Sequence, residues 1–172
     1  MYTLLCSDLA IRSGTAALIA PQHYNRQART LHFTTKGGAA LTLPVTDQVR
    51  RMIESCDLES SKPFVAQLWT SQGHGRKPGD NTRWPLIMRR AFTRLRKRLN
   101  FNRRIIPHDL RRTSAVAMLE ATGDLRDVQA FLGHLSLHST VIYLDHDLRP
   151  VKRHTLELIK RPRVEESEEY TA

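Results

Sequence analysis

The spacing of apolar positions changes along the chain, and each change predicts a new element. From Tyr2 to about Ile19, Leu4, Leu5, Leu9 and Leu18 point to a helix or two short helices with these leucines inward. Between Arg29 and Thr35 the pattern alternates, with Leu31 and Phe33 on one face, as in a half-buried strand. Lys36-Gly37-Gly38 reads as a turn, and Ala40 to Val45 resumes the alternation, so the segment predicts a β-hairpin with Lys36 at or near its tip. Thr46 then suits an N-cap for a helix to about Cys56, with Val49, Met52 and Ile53 on its core side. A short apolar piece, Phe64 to Trp69, lies between two loops, Asp57 to Pro63 and Ser71 to Asp80.

The second half reads as helical. A long helix is expected from about Thr82 to Leu99, with Leu86, Ile87, Ala91, Leu95 and Leu99 as its inward stripe. Pro107 holds Ile106 extended and starts a helix to about Ala121, which Gly123 ends. Asp124 caps the next helix, Leu125 to Leu132, with Val128, Phe131 and Leu132 packing inward and Gly133 as its stop. Ser139 is expected to cap a short helix containing Tyr143. A last helix follows from about Pro150 to Lys160, before a polar, acidic tail, 163–172, read as disordered. The sum is one α+β domain over residues 1–162, mostly helical with a small antiparallel sheet.

Composition narrows what such a domain can do. At 172 residues with 40% apolar content, the chain can bury roughly two-thirds of its unfolded surface, which excludes overall disorder. The two cysteines, Cys6 and Cys56, lie far apart and without metal-type spacing, so neither a disulfide scaffold nor a zinc site is implied, and a reduced, cytoplasmic setting is expected. No apolar run approaches the roughly 18 residues of a membrane span. The loop after Ser71 contains Gly73, Gly75, Lys77 and Gly79 but lacks the spacing of a phosphate-binding loop. Charge is the strongest compositional signal. There are 27 Lys and Arg against 17 Asp and Glu, and Glu165, Glu166, Glu168 and Glu169 crowd the last eight residues, which leaves 13 acids on the rest of the chain. Such an excess points to a polyanionic partner, most often nucleic acid; a basic protein with no such partner is the plain alternative.

Five short features carry the candidate chemistry. Ile106-Pro107-His108-Asp109-Leu110-Arg111-Arg112-Thr113 places His108 at a helix mouth and Arg111 three residues on, so both share a face. Arg111 also leads an apolar stripe of Ala115, Met118 and Leu119, an odd alignment for a solvated arginine. Leu132-Gly133-His134 precedes Tyr143 by nine residues. Taken singly, His134 reads as a helix-terminus histidine, Tyr143 as an amphipathic tyrosine, Lys36 as a solvated turn lysine and Arg12 as an ordinary helix arginine.

In this order, Arg12, Lys36, His108-x-x-Arg111, Leu132-Gly133-His134 and Tyr143 resemble the tyrosine recombinase (phage integrase) family, from about Leu4 to about Tyr143. Thr35-Lys36-Gly37-Gly38 followed by Leu43-Pro44-Val45-Thr46 is similar to the family's hairpin and its exit. Thr15 departs from the pattern, standing where the family has an acidic residue three positions after its first arginine. The chain also starts eleven residues before Arg12. The family's helical core-binding domain is therefore expected to be absent, and the chain to be a catalytic-domain fragment or a minimal stand-alone member.

The resemblance implies site-specific recombination: DNA is cut and rejoined through a 3′-phosphotyrosine, without metal, ATP or other cofactor. Arg12 and Arg111 would clamp the non-bridging phosphate oxygens with guanidinium forks. Tyr143, with an ordinary pKa of about 10, would attack as the nucleophile with help from cationic neighbours. Lys36 would protonate the leaving 5′-hydroxyl, His108 would assist proton transfer at Tyr143, and His134 would hydrogen-bond the phosphate. Arg83, Arg89, Arg90, Arg94, Arg96, Lys97 and Arg98 on the long helix, with Arg103 and Arg104, are the expected contacts to double-stranded DNA, on which dimers or tetramers would assemble near the nucleoid. Two other functions stay open at this point: a type IB topoisomerase-like nicking-closing enzyme, and a DNA-binding regulator that has lost catalysis.

Overall fold

The computed structural model describes residues 1–71, 83–101 and 104–144, the side chains of residues 70, 71, 142 and 143 excepted. Its elements run α1 (Tyr2–Ser7), α2 (Ser13–Ala16), a 3₁₀ turn (Pro21–His23), β1 (Tyr24–Asn25), β2 (Thr30–Thr34), β3 (Ala40–Pro44), α3 (Asp47–Glu54), α4 (Phe64–Ser71), α5 (Trp84–Arg98), α6 (Pro107–Thr122), α7 (Leu125–Leu132) and α8 (Leu137–Leu144). The mostly helical α+β reading holds. The expected loop through Asp80, the Thr82 end of the long helix, Arg103, the helix from Pro150 and the acidic tail lie outside the described residues.

The three strands form one antiparallel sheet in the order β1-β2-β3. Leu31 pairs with Leu43 and Phe33 with Leu41, so period-two alternation puts one apolar face on the core. The β2–β3 turn closes with Gly38 N–H donating to Thr35 O at 2.9 Å and Thr35 N–H donating to Ala39 O at 2.8 Å. Gly38 sits at φ +84°, and Lys36 is exposed at the turn, as the hairpin pattern predicts. Strand β1, only Tyr24–Asn25, is too short to leave a period in the sequence.

Two apolar clusters hold the helices. The larger packs Leu5, Leu9, Ile19, Leu31, Ile53, Phe64 and Met88 between the sheet and α1 to α5. The smaller joins Ala10, Ala115, Val128, Leu132 and Leu144, and so locks α6, α7 and α8 together beneath the α1–α2 connection. Phe131 packs against both. Caps mark the boundaries: Thr46 Oγ1 accepts from Val49 N–H at 3.3 Å, and Asp124 Oδ1 accepts from Arg126 N–H at 2.7 Å. Pro107 opens α6 behind an extended Ile106, whose N–H donates to Asp109 Oδ2 at 2.8 Å.

Three expectations change. The opening segment forms two short helices, one of the two expected forms, with a kink at Ala10 (φ +47°) between them, but Leu18 is exposed and Leu4 half-buried rather than inward. On α5, Trp84 and Met88 are buried and Ile87 and Phe92 pack against the core, whereas Leu86, Leu95 and Leu99 are exposed. Two overlapping apolar stripes run along this helix. Packing against α2, together with the edge-on contact of Trp84 with Trp69 of α4 (centroids 6.5 Å apart), selects the first. Ser139 is not a cap, since α8 begins two residues earlier at Leu137.

Gly123 and Gly133 end α6 and α7 in the left-handed region, at φ +69° and +60°. A Cβ on Gly133 would come within 3.0 Å of the Leu41 and Thr35 side chains, whereas one on Gly123 would meet open space. The hairpin is thus seated against the end of α7. Gly123→Ala should cost roughly 1–2 kcal/mol from backbone strain alone, and Gly133→Ala should cost more by shifting the hairpin. Denaturant midpoints of the two variants test this, and equal losses would contradict the seating.

Candidate active site

Arg111 enters the interior from the second turn of α6, and only 2% of it is exposed. Its Nη1 donates to the carbonyl of Ala10, and its Nη2 donates to Leu132 O at 2.8 Å. Arg111 is therefore the clasp between the α1–α2 connection and the C-terminus of α7. The apolar stripe behind it, Ala115 with half-buried Met118 and Leu119, accounts for its inward register. Ala10 takes its positive φ with its methyl in the smaller cluster and its carbonyl on Arg111.

His134 follows the Gly133 cap, and its Nε2 lies 3.3 Å from Arg111 Nη2. A guanidinium only donates, so Nε2 carries a lone pair and the ring proton sits on Nδ1. That Nδ1–H donates to Thr140 Oγ1 at 3.1 Å. Gln129 Nε2 donates to His134 O at 3.0 Å and fixes the backbone of the same loop. Burial, then the positive charges of Arg111, Arg12 and His108, push the His134 pKa down to about 4. His108 is held below its ordinary value by burial and by Arg111, with Asp109 opposing.

Two adjoining clefts open over these groups. One, of about 370 Å³, is lined by Arg12, Thr35, Gly37, His108, Arg111, Gly133, His134, Leu135 and Ser139. The other, of about 630 Å³, shares Arg12 and His108 and adds Lys36, Thr15, His23, Phe33 and Pro85. Arg12, Lys36, His108, Arg111 and His134, spread over more than a hundred residues, thus line two clefts that share Arg12 and His108. Thr15 lies in the larger cleft beside Arg12, where a carboxylate would have offset part of the positive potential. The N-terminus of the 16-residue helix α6 adds its own partial positive charge, since His108 is its second residue. Tyr143 lies on α8, three residues after Thr140, and its side chain is outside the described residues.

The expected DNA-contacting side chains Arg83, Arg89, Arg90, Arg94, Lys97, Arg98 and Arg104 are exposed, and Arg96 is half-buried. Helix α5 contains no acidic residue. Around α3, Arg26 and Arg50 form ion pairs with Asp47 and Glu54. Sequence reasoning missed Thr140. Its signal was a polar residue on the same helical face as Leu144, and the sequence alone does not say that this face is buried.

A mostly helical domain with a small antiparallel sheet defines the class: this is the fold of tyrosine recombinase catalytic domains. XerA recombinase shares it with a TM-score of 0.62 and 22% identity, over 95% of this chain and 58% of that one. So does XerH site-specific recombinase bound to its difH substrate, with a TM-score of 0.58 and 17% identity, over 90% and 44%. Residues 1–149 match the phage integrase family, and the chain belongs to that family. The tyrosine recombinase XerC of Mesorhizobium japonicum is 43% identical over 117 residues, 68% of this chain and 36% of that protein. The chain thus spans less than half the length of the curated relatives it matches. Among the described residues, no helix is long and apolar enough to cross a membrane.

The depressed histidines set a pH dependence. The unfolded chain binds protons on them from about pH 6.5 downward, while the folded site resists protonation. Their contribution to stability is therefore complete above pH 6.5 and falls as the pH drops toward about 4, where His134 itself protonates. Melting midpoints should decline across this window, and His134→Asn should flatten part of the decline. An equally steep profile in the variant would show that the histidine is not resisting protonation.

Proposed function

We propose that this chain carries out the strand cleavage and rejoining of a site-specific DNA recombinase, through Tyr143. One observation carries the reading: a buried, pre-oriented Arg111 shares a cleft with Arg12, His108 and His134, beside the helix that bears a tyrosine. In this reading Arg12 and Arg111 hold the non-bridging oxygens of the scissile phosphate. Their charge, rather than a metal or a nucleotide, stabilises the pentavalent transition state. Tyr143 Oη bonds to phosphorus as the bond to the 5′-oxygen breaks, and the 3′-phosphotyrosine retains the bond energy for religation.

Proton traffic divides between the two sides of the cleft. Lys36, carried on the seated hairpin, delivers a proton to the leaving 5′-oxygen, and His108 assists its removal from Tyr143. His134 orients Arg111 while the site is empty. When the phosphate arrives, its negative charge favours a proton on Nε2, from which His134 donates to a phosphate oxygen. The exposed guanidiniums of α5 supply backbone contacts along the duplex. XerH, solved on its difH substrate, has the same fold and supports double-stranded DNA as the partner. Exchange between two duplexes calls for dimers or tetramers on the DNA, and we place the protein in the cytoplasm at the nucleoid.

Incubation with nicked suicide DNA substrates should yield a denaturation-resistant protein–DNA adduct that Tyr143→Phe abolishes. An adduct in the Phe variant would move the nucleophile elsewhere, and no adduct in the parent chain would favour a DNA-binding remnant. Relaxation of one duplex without two-site exchange would instead indicate a nicking-closing enzyme.

Arg111→Ala should slow cleavage by roughly 100-fold or more, and Arg111→Lys should not restore it, because the bidentate fork is lost. Wild-type cleavage by Arg12→Ala would remove Arg12 from the clamp.

If about six basic side chains reach phosphates, affinity for DNA should fall roughly a thousandfold between 50 and 200 mM salt. A flat salt response measured by fluorescence anisotropy would contradict phosphate-dominated binding.

A further inference from the structure

Thr140 is fully buried, on a helix face it shares with Leu144 of the smaller apolar cluster. A hydroxyl in such a place costs stability unless it is hydrogen-bonded, and valine would fill the same space without that cost. The helix threonines Thr93, Thr113 and Thr122 turn back on their own backbone and donate to carbonyls four residues earlier. Thr140 instead meets the ring of His134, which sits in the loop before α8.

The contact constrains chemistry as well as packing. With Nδ1–H committed to Thr140 Oγ1, the imidazole can gain or lose a proton only at Nε2, the nitrogen that faces Arg111 and the cleft. Without that acceptor, the proton could move to Nε2 and confront a guanidinium donor 3.3 Å away. The ring would then swing off Arg111 and release one of the acceptors that orient its Nη2. Thr140 also lies less than one helical turn before Tyr143, so the bond ties the nucleophile's helix to the phosphate clamp.

We infer that Thr140 is a positioning residue: its hydroxyl holds His134 in the Nδ1–H form and couples docking of α8 to the alignment of Arg111. The catalytic part of this inference rests on the function proposed above, whereas the tautomer does not. Through its orienting effect, Thr140→Val should slow cleavage roughly tenfold or more at saturating DNA, with little change in DNA affinity. Thr140→Ser, which keeps the hydroxyl, should recover most of the rate.

The test uses the full chain, labelled with ¹⁵N-histidine. Long-range ¹H–¹⁵N correlations without DNA report the His134 tautomer, with His134→Gln identifying the signal. The parent chain and the Ser variant should show the Nδ1–H form, and the Val variant should shift toward Nε2–H. Circular dichroism checks that each variant is folded. An Nε2–H signal in the parent chain overturns the inference even if the Val variant fails to fold. So does an unchanged tautomer, or an unchanged cleavage rate, in a folded Val variant. If Tyr143→Phe still forms the adduct, the proposed function fails instead, and the DNA-free tautomer continues to decide the Thr140 contact separately.

Discussion

Arg111 is almost wholly buried, and a buried cation persists only where protein acceptors replace its hydration shell. Here the carbonyls of Ala10 and Leu132 do so, one from the turn between the first two helices and the other from the end of α7. Satisfying Arg111 therefore fixes three segments at once. It also accounts for the positive φ of Ala10, whose methyl must stay in the smaller cluster while its carbonyl faces the arginine. Arg12 follows two residues later, so the strained turn that anchors one arginine also delivers the other to the cleft.

Around that anchor, the site is arranged to concentrate positive charge without letting it disperse. Burial and cationic neighbours hold the pKa of His134 down to about 4 and that of His108 below its ordinary value, so the arginines, Lys36 and the start of α6 supply the positive potential of the cleft. The hairpin joins this arrangement through shape rather than charge. Its Thr35 and Leu41 side chains rest on the bare backbone of Gly133, which lets the turn carrying Lys36 lie beside the His134 loop. A short α-to-α connection thereby serves as both helix stop and hairpin seat.

The surface repeats this logic on a larger scale. Helix α5 buries Trp84 and Met88 and turns its basic side chains outward except half-buried Arg96, with no acid of its own to neutralise them. The outward side also keeps Leu86, Leu95 and Leu99 exposed beside the arginines. The larger apolar residues of α5 thus divide between core and surface, a division that its periodicity left undecided.

Much of the fold was legible in the sequence for reasons of local chemistry, whereas Arg12, Lys36, His134 and Tyr143 stood out only jointly, through their resemblance to a family pattern. Alternation marked Leu31 and Phe33, Pro107 marked the start of α6, and the glycines at 123 and 133 marked helix ends, because each acts over a few residues. Arg111 betrayed itself by standing in line with an apolar stripe. What stayed hidden depended on contacts between distant segments. The two-residue β1 exists only by pairing with β2, the inward side of α5 was chosen by packing against α2 and Trp69, and Thr140 gained a role only when α8 brought it to His134. Backbone propensity and side-chain period are properties of neighbours along the chain, whereas burial and hydrogen-bond partnership are properties of neighbours in space. The sequence by itself therefore determined which residues could do the chemistry, and the tertiary structure decided how their protons and charges are held.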